Sequence, residues 1–247
     1  MTIPHIPIAD LSFSQTAFFL DFDGTLAEIA ADPARVSVAR ETRIALGRLD
    51  QATGGALAII SGRSIAQLDV MLGPLRLPAA GVHGLERRNA GGVLARDHVD
   101  PVAAQQLTFI VSAFADDWPG LLAEAKPGSV ALHYRNRPEM AARCIAFAEG
   151  LAQNNDRITL IEGKKVVELK LSSRTKGDAI AAFMAEAPFY HRRPFFAGDD
   201  VTDEAGFALV NAMGGVSLKV GPGETAARHR VADRAAFIAW LESLAGG

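Results

Sequence analysis

The feature that most constrains this chain is a rhythm that occurs twice. Short apolar runs at 17–20, 56–60 and 77–82 alternate with helical patterns at 38–49 and 64–72. The rhythm resumes with a helix at 176–185, a strand at 194–197, a helix at 202–210, a strand at 216–220 and a helix at 235–244. Short apolar strands separated by helices are the pattern of right-handed βαβ units, whose parallel strands are buried on both faces. The two ends therefore predict one α/β domain with a Rossmann-like parallel sheet.

The middle follows another pattern. Leu107, Ile110, Val111 and Phe114 fall at i, i+3, i+4 and i+7, an apolar stripe on a helix near 102–117. Segments 121–126 and 130–135 flank Pro127-Gly128-Ser129, a hairpin signal. A second helix fits 138–152, and two further strands fit 157–162 and 166–171. With 247 residues the chain can bury a core domain and an insertion. The division expected is 1–100 with 173–247 as the core, and 101–172 as an inserted αββαββ domain.

Composition removes several function classes. The formal net charge is −3 with acids and bases interleaved, so the basic stripe that electrostatic binding to nucleic acid requires is missing. The single cysteine, Cys144, sits among apolar residues and reads as a small buried thiol, and one cysteine excludes a disulfide within the chain. The opening MTIPHIPIADLSFSQ has no Lys or Arg ahead of an apolar core, and no apolar run approaches the ~18 residues of a membrane span. The expectation is a cytoplasmic protein with no membrane and no nucleic-acid partner.

At the end of the first apolar run, "AFFLDFDGTLAEI" (17–29) places two acids one residue apart. Side chains two apart on a strand project to the same side, so Asp21 and Asp23 can both face the carboxyl end of the sheet, where open α/β sheets bind ligands. Taken alone, the same residues also fit an ordinary acidic Asp-Gly turn.

Asp21-Phe22-Asp23-Gly24-Thr25 resembles the first motif of the haloacid dehalogenase superfamily, Asp-x-Asp-x-Thr. Three further elements of that superfamily have counterparts in the right order. Ser61 follows the strand at 57–60, to hydrogen-bond a phosphoryl oxygen, and Gly62 and Ser64 open a helix whose N-terminus favours an anion; a helix cap is the other use of Ser61. Lys176 starts a helix, a poor place for a cation unless an anion lies nearby, with Lys170 as a weaker rival. The acidic run Asp199, Asp200, Asp203 and Glu204 follows the strand at 195–197, and hard oxygen ligands beside a phosphate suit Mg²⁺.

The resemblance implies catalysis by Asp21, Asp23, Ser61 and Lys176. It implies Mg²⁺ held by the Asp21 carboxylate, the Asp23 carbonyl and Asp199, with Asp200 and Asp203 as supporting acids. Asp21 would attack phosphorus to give an aspartyl-phosphate. Asp23 would protonate the leaving oxygen and then activate water.

Within that superfamily, "SGR" at 61–63, "GVHGLE" at 81–86, "ALHYRN" at 131–136, "GKKVVELK" at 163–170 and the pair Glu124-x-Lys126 are similar to the trehalose-6-phosphate phosphatase family. The resemblance implies a sugar-phosphate substrate met by Arg63, His83, Glu124, Lys126, His133, Arg135, Asn136 and Glu168. Arg63 has a second use, pairing with an acid such as Glu86, and His83 a second use in a buried hydrogen bond. Strand alternation agrees in placing Glu124 with Lys126, His133 with Arg135 and Glu168 with Lys170 on one face, which is also what an ordinary solvent-facing sheet would do. A phosphatase for sucrose 6-phosphate or mannosyl-3-phosphoglycerate would share the core, and a non-catalytic sugar-phosphate-binding partner is a reading from another class. A trehalose-6-phosphate synthase on a separate chain is the partner such a function would imply.

Overall fold

The computed structural model describes residues 11–30 and 35–244. Most of the opening segment read for a leader, residues 1–10, lies outside them. Residues 96–174 form one compact unit, and the described residues before and after it form the other.

The larger unit is built on one mixed sheet. Its centre is β1 (Thr16–Asp21), which runs parallel to β10 (Arg193–Gly198) on one side and β2 (Leu57–Ile60) on the other. Outward from these lie β11 (Val216–Val220) and β12 (His229–Val231), and on the other side β3 (Ala79–Gly81), all parallel. The short β4 (Glu86–Arg88) turns back antiparallel to β3, and β5 (Leu94–Arg96) closes that edge.

The period-two alternation of the strands explains the layers. Phe18, Leu20, Ile59 and Phe195 point to one face and pack against α1 (Arg40–Ala52), α2 (Ile65–Leu72) and α7 (Arg234–Leu244). Phe19, Ile60 and Phe196 point to the other, against α5 (Lys176–Met184) and α6 (Glu204–Ala212). Phe18 and Phe19 are both fully buried, each contributing roughly 1.5–3 kcal/mol of apolar transfer. The result is a three-layer α/β/α core with the carboxyl ends of β1, β2 and β10 side by side.

Four strands of this sheet depart from the sequence pattern. The strands β4, β5 and β12 have three residues each, too short to show a period. The run expected at 77–82 is a strand only over Ala79–Gly81, because Val82 and His83 turn to positive φ (47° and 53°). Their N–H groups leave the sheet and donate to the carbonyls of Arg63 and Ser61, both at 2.9 Å.

The smaller unit has α3 (Pro101–Asp116), β6 (Leu122–Lys126), β7 (Ser129–His133), α4 (Ala141–Gln153), β8 (Thr159–Gly163) and β9 (Val166–Lys170), in that order. Its sheet is antiparallel throughout, in the order β6-β7-β9-β8. Val130, Leu132, Val167 and Leu169 pack with Leu107 and Val111 of α3 and with Cys144 and Ala148 of α4. Glu124, Lys126, Ala131 and Glu168 carry the opposite parity, so one sheet face is apolar and helix-covered while the other carries the charges. The β6–β7 turn is Pro127-Gly128, with Gly128 at φ 72°, the left-handed value such a turn needs at its second position.

Candidate active site

The site forms where β1, β2 and β10 end. Asp21 is the last residue of β1 and is 3% exposed. Lys176, the first residue of α5, reaches it from the neighbouring helix and donates to Asp21 Oδ1 at 2.6 Å and to Asp203 Oδ1 at 2.6 Å. That accounts for a cation at the unfavourable end of a helix: two buried carboxylates hold it there. Thr175 caps the helix, accepting from the Asp178 N–H at 3.2 Å.

Asp203 closes a single 3-10 turn (Val201–Asp203) ahead of α6 and is fully buried. Its second oxygen, Oδ2, accepts the N–H groups of Asp199 and Asp200 at 2.9 and 2.8 Å. Both Asp203 oxygens are thus engaged in holding the loop after β10 and the lysine. Gly198 makes this possible, since a Cβ there would lie 2.3 Å from the Asp203 carboxyl carbon.

Asp199 stands directly after β10, with its carboxylate against Gly24. A Cβ on Gly24 would come within 2.2 Å of Asp199 Oδ2, and φ at Gly24 is 84°, so space and backbone both demand glycine there. Oxygens of Asp21, Asp199 and Asp203 lie within 4.8 Å of one another. Three carboxylates thus crowd one site, and Lys176 pairs directly with two of them. Burial pushes the Asp21 carboxyl well above the usual carboxylate range, and the Asp203 and Asp199 charges add to the rise while Lys176 opposes it. Lys176 is pulled downward by burial, but the Asp203 and Asp21 carboxylates more than offset this and raise it overall, so it stays charged.

Asp21 Oδ2 is buried and has no hydrogen-bond partner among the described residues. A buried carboxylate oxygen left in that state costs free energy unless a ligand satisfies it, and hard oxygens this close together suit a small divalent cation. The donor set therefore fits Mg²⁺.

Asp23 lies apart from that cluster. Arg63 holds it in a two-pronged pair, Nε to Oδ2 and one terminal nitrogen to Oδ1, both at 2.7 Å. Its side chain keeps 34% exposure, which leaves it reachable by a ligand. Ser61 is buried at the end of β2, where its Oγ accepts the Arg63 N–H at 3.1 Å and keeps its own O–H to donate.

The cap of α2 is Ser64 and not Ser61: Ser64 Oγ accepts from the Gln67 N–H at 3.2 Å, and the Gln67 side chain accepts from the Ser64 N–H at 2.9 Å. At the same N-terminus the Glu86 carboxylate accepts the Ile65 N–H, so one of these donors already meets an anion from within the chain. His83 is buried beside the same loop, its ring 2.6 Å from where a Cβ of Gly62 would stand.

The remaining expected residues are in the smaller unit. Glu124 Oε2 and His133 Nε2 are 2.8 Å apart. Lys126 donates to Glu168 Oε2 at 2.9 Å, and Ser129 donates to Glu168 Oε1 at 2.7 Å. Charge pairs thus run across strands, between residues that the sequence placed on one face of the sheet. Arg135 donates to the Lys164 carbonyl at 2.9 Å, and Asn136 is exposed beside it. Lys170, the rival to Lys176, is buried in this unit and donates to the Arg174 carbonyl.

Sequence reasoning missed Lys219, which is 4% exposed in β11 and donates to the Asp199 carbonyl. The signal was there: a lysine inside Val216-Ser217-Leu218-Lys219-Val220, a strand buried at every position.

Comparison with known proteins bears on this geometry. The trehalose-phosphatase family model matches residues 19–236. Trehalose-6-phosphate phosphatase of Escherichia coli (strain K12) is 43% identical over 244 residues, 99% of this chain and 91% of that protein. A probable trehalose-phosphate phosphatase of Sinorhizobium fredii is 39% identical over 209 residues, 83% of this chain and 78% of that one. Among solved structures, the C-terminal domain of trehalose-6-phosphate phosphatase from C. albicans shares the fold, with a TM-score of 0.82 at 21% identity over 94% of this chain and 92% of that one. No helix among the described residues is long and apolar enough to cross a membrane.

Proposed function

The chain belongs to the trehalose-phosphatase family, and from that premise we propose that it hydrolyses trehalose 6-phosphate to trehalose and phosphate, with Asp21 as nucleophile. The observation that carries this reading is the Asp21–Lys176–Asp203 cluster. It presents an acid at a strand end with one oxygen on a lysine and the other without a partner among the described residues. A carboxylate is a modest nucleophile, but it needs no base to activate it once ionised.

In this reading an Asp21 oxygen attacks phosphorus and the bond to the sugar oxygen breaks, that oxygen taking a proton from Asp23. Water then attacks the aspartyl-phosphate and gives its proton to Asp23, and the bond from phosphorus to Asp21 breaks to release phosphate. One residue can serve both steps because giving a proton to the sugar oxygen leaves it as the base that takes one from water. Arg63 keeps the Asp23 carboxylate in one orientation through both. Ser61 donates its O–H to a phosphoryl oxygen, and Lys176 balances charge between nucleophile and phosphate. Asp21, Asp199 and the Asp23 carbonyl would hold Mg²⁺, which when bound offsets repulsion between anions and stabilises charge in the transition state. Asp200 and Asp203 support that loop.

We assign recognition of the sugar hydroxyls to the polar sheet face of the smaller unit, through Glu124, Lys126, His133, Arg135, Asn136 and Glu168, with His83 contributing from the core. A synthase that makes the phosphorylated disaccharide, on a separate chain in the cytoplasm, is the class of enzyme that would supply the substrate. The test is phosphate release from a panel of sugar phosphates with and without Mg²⁺. The reading expects trehalose 6-phosphate to be turned over best and only with the metal. Stronger turnover of sucrose 6-phosphate or mannosyl-3-phosphoglycerate would move the substrate assignment and leave the reaction class standing.

A further inference from the structure

Lys219 is a buried charge that the mechanism above does not use. It sits in β11 opposite Gly198 of β10, in a strand whose five residues are all buried. Its ammonium donates to the backbone carbonyl of Asp199, and among the described residues no carboxylate lies within ion-pair distance of it. An ammonium taken out of water without a counter-ion keeps a desolvation cost that one neutral carbonyl offsets only in part. An apolar side chain would suit this strand without that cost, so packing does not account for the lysine.

What the lysine touches does account for it. The Asp199 peptide is gripped from both ends, its N–H held by Asp203 Oδ2 at 2.9 Å and its carbonyl by Lys219. The Asp199 carboxylate rests on the bare backbone of Gly24, where a Cβ would stand 2.2 Å from Oδ2. Backbone and side chain of this acid are therefore fixed independently, and Lys219 supplies one of the two backbone restraints. We infer that Lys219 is a positioning residue for the metal site, holding the peptide of Asp199 so that its carboxylate is presented to the ion. The inference rests on the reading of Asp199 as a Mg²⁺ ligand.

Position and charge make opposite predictions here, which makes the inference testable. A nearby cation repels a divalent ion, so if Lys219 acted through charge alone, removing it would tighten Mg²⁺ binding. If it acts through position, removing it loosens binding. Partners that orient metal ligands typically cost about 10–100-fold in metal affinity when lost.

The experiment is calorimetric titration of Mg²⁺ into the full-length wild type, Lys219→Met and Lys219→Gln, with urea unfolding of each in the absence of metal. The Gln variant keeps the measurement open should the apolar one fail to fold. The expected result is a Kd for Mg²⁺ raised about 10–100-fold in either variant while the metal-free protein still unfolds cooperatively. Wild-type affinity, or tighter binding, in a folded variant overturns the inference and leaves the catalytic reading intact. A wild type that binds no Mg²⁺, or an Asp199→Asn variant that binds it as well as the wild type, overturns the ligand assignment and the inference with it.

Discussion

The two units handle buried charge in opposite ways. On the polar sheet of the smaller unit the acids are matched, Glu168 by Lys126 and Ser129 and Glu124 by His133. In the core unit Asp21, Asp199 and Asp203 crowd together around Lys176, and one Asp21 oxygen has no partner among the described residues. A matched set of polar groups can exchange its partners for those of a ligand, which suits recognition. An excess of buried carboxylate raises the free energy of the empty site, and a divalent cation relieves it and leaves positive charge to face a phosphate, which suits chemistry.

The sharpest way to break that contrast is to remove the acid with the spare oxygen. Asp21→Asn keeps the shape of the cluster, and turnover should fall by roughly four orders of magnitude or more, as for other covalent nucleophiles. Near-normal phosphate release from that variant would remove Asp21 from its role. Lys176→Met removes the cation, which pairs with Asp203 even where Asp21 keeps a proton. Removing one partner of a buried ion pair typically costs about 3–5 kcal/mol, so urea unfolding without metal should show a loss of that size. An unchanged midpoint would mean that the carboxylates are not held as charges.

On the other side of the comparison, Glu168→Gln leaves the shape of the polar face but weakens its bonds to Lys126 and Ser129. It should raise KM for trehalose 6-phosphate about tenfold or more, the scale of one hydrogen bond to a charged group, and leave kcat far less affected. A fall in kcat with KM unchanged would move Glu168 from recognition to chemistry.

The smallest effect is in pH. Burial and neighbouring acids raise the Asp21 carboxyl above its unfolded value, so in the metal-free protein the folded state keeps a proton that the unfolded chain has lost. Stability without metal should therefore fall as pH rises from the ordinary carboxylate range towards the raised value, and Mg²⁺ affinity should climb over the same window. Calorimetry in buffers of different ionisation enthalpy would detect the proton released on metal binding. Its absence would mean that Asp21 is already ionised in the empty site.

Much of this was legible in the sequence because periodicity carries it. The run 17–20 continues into a strand with Phe18 and Phe19 on opposite buried faces, and the alternation at 130–135 and 166–171 separates an apolar face from a charged one. Asp21, Ser61, Lys176 and Asp199 were readable because each stands where a strand ends or a helix begins.

Partner choice was less legible, since it depends on contacts distant in the chain. Arg63 meets Asp23 forty residues away, and Glu86 takes the Ile65 N–H at the N-terminus of α2 from twenty-one residues on. The turn at Val82 and His83 was hidden for the same reason. Hydrogen bonds to Ser61 and Arg63, rather than any local preference of valine or histidine, put that backbone in the left-handed region.

The most direct test of the central claim is to catch the covalent state. Enzyme mixed with trehalose 6-phosphate and Mg²⁺, quenched in acid within one turnover and digested, should yield the peptide bearing Asp21 with the added mass of a phosphoryl group, the mark resting on Asp21 itself. The same peptide unmodified throughout the turnover, with phosphate released at the full rate and the mark on another residue or on none, would contradict the account.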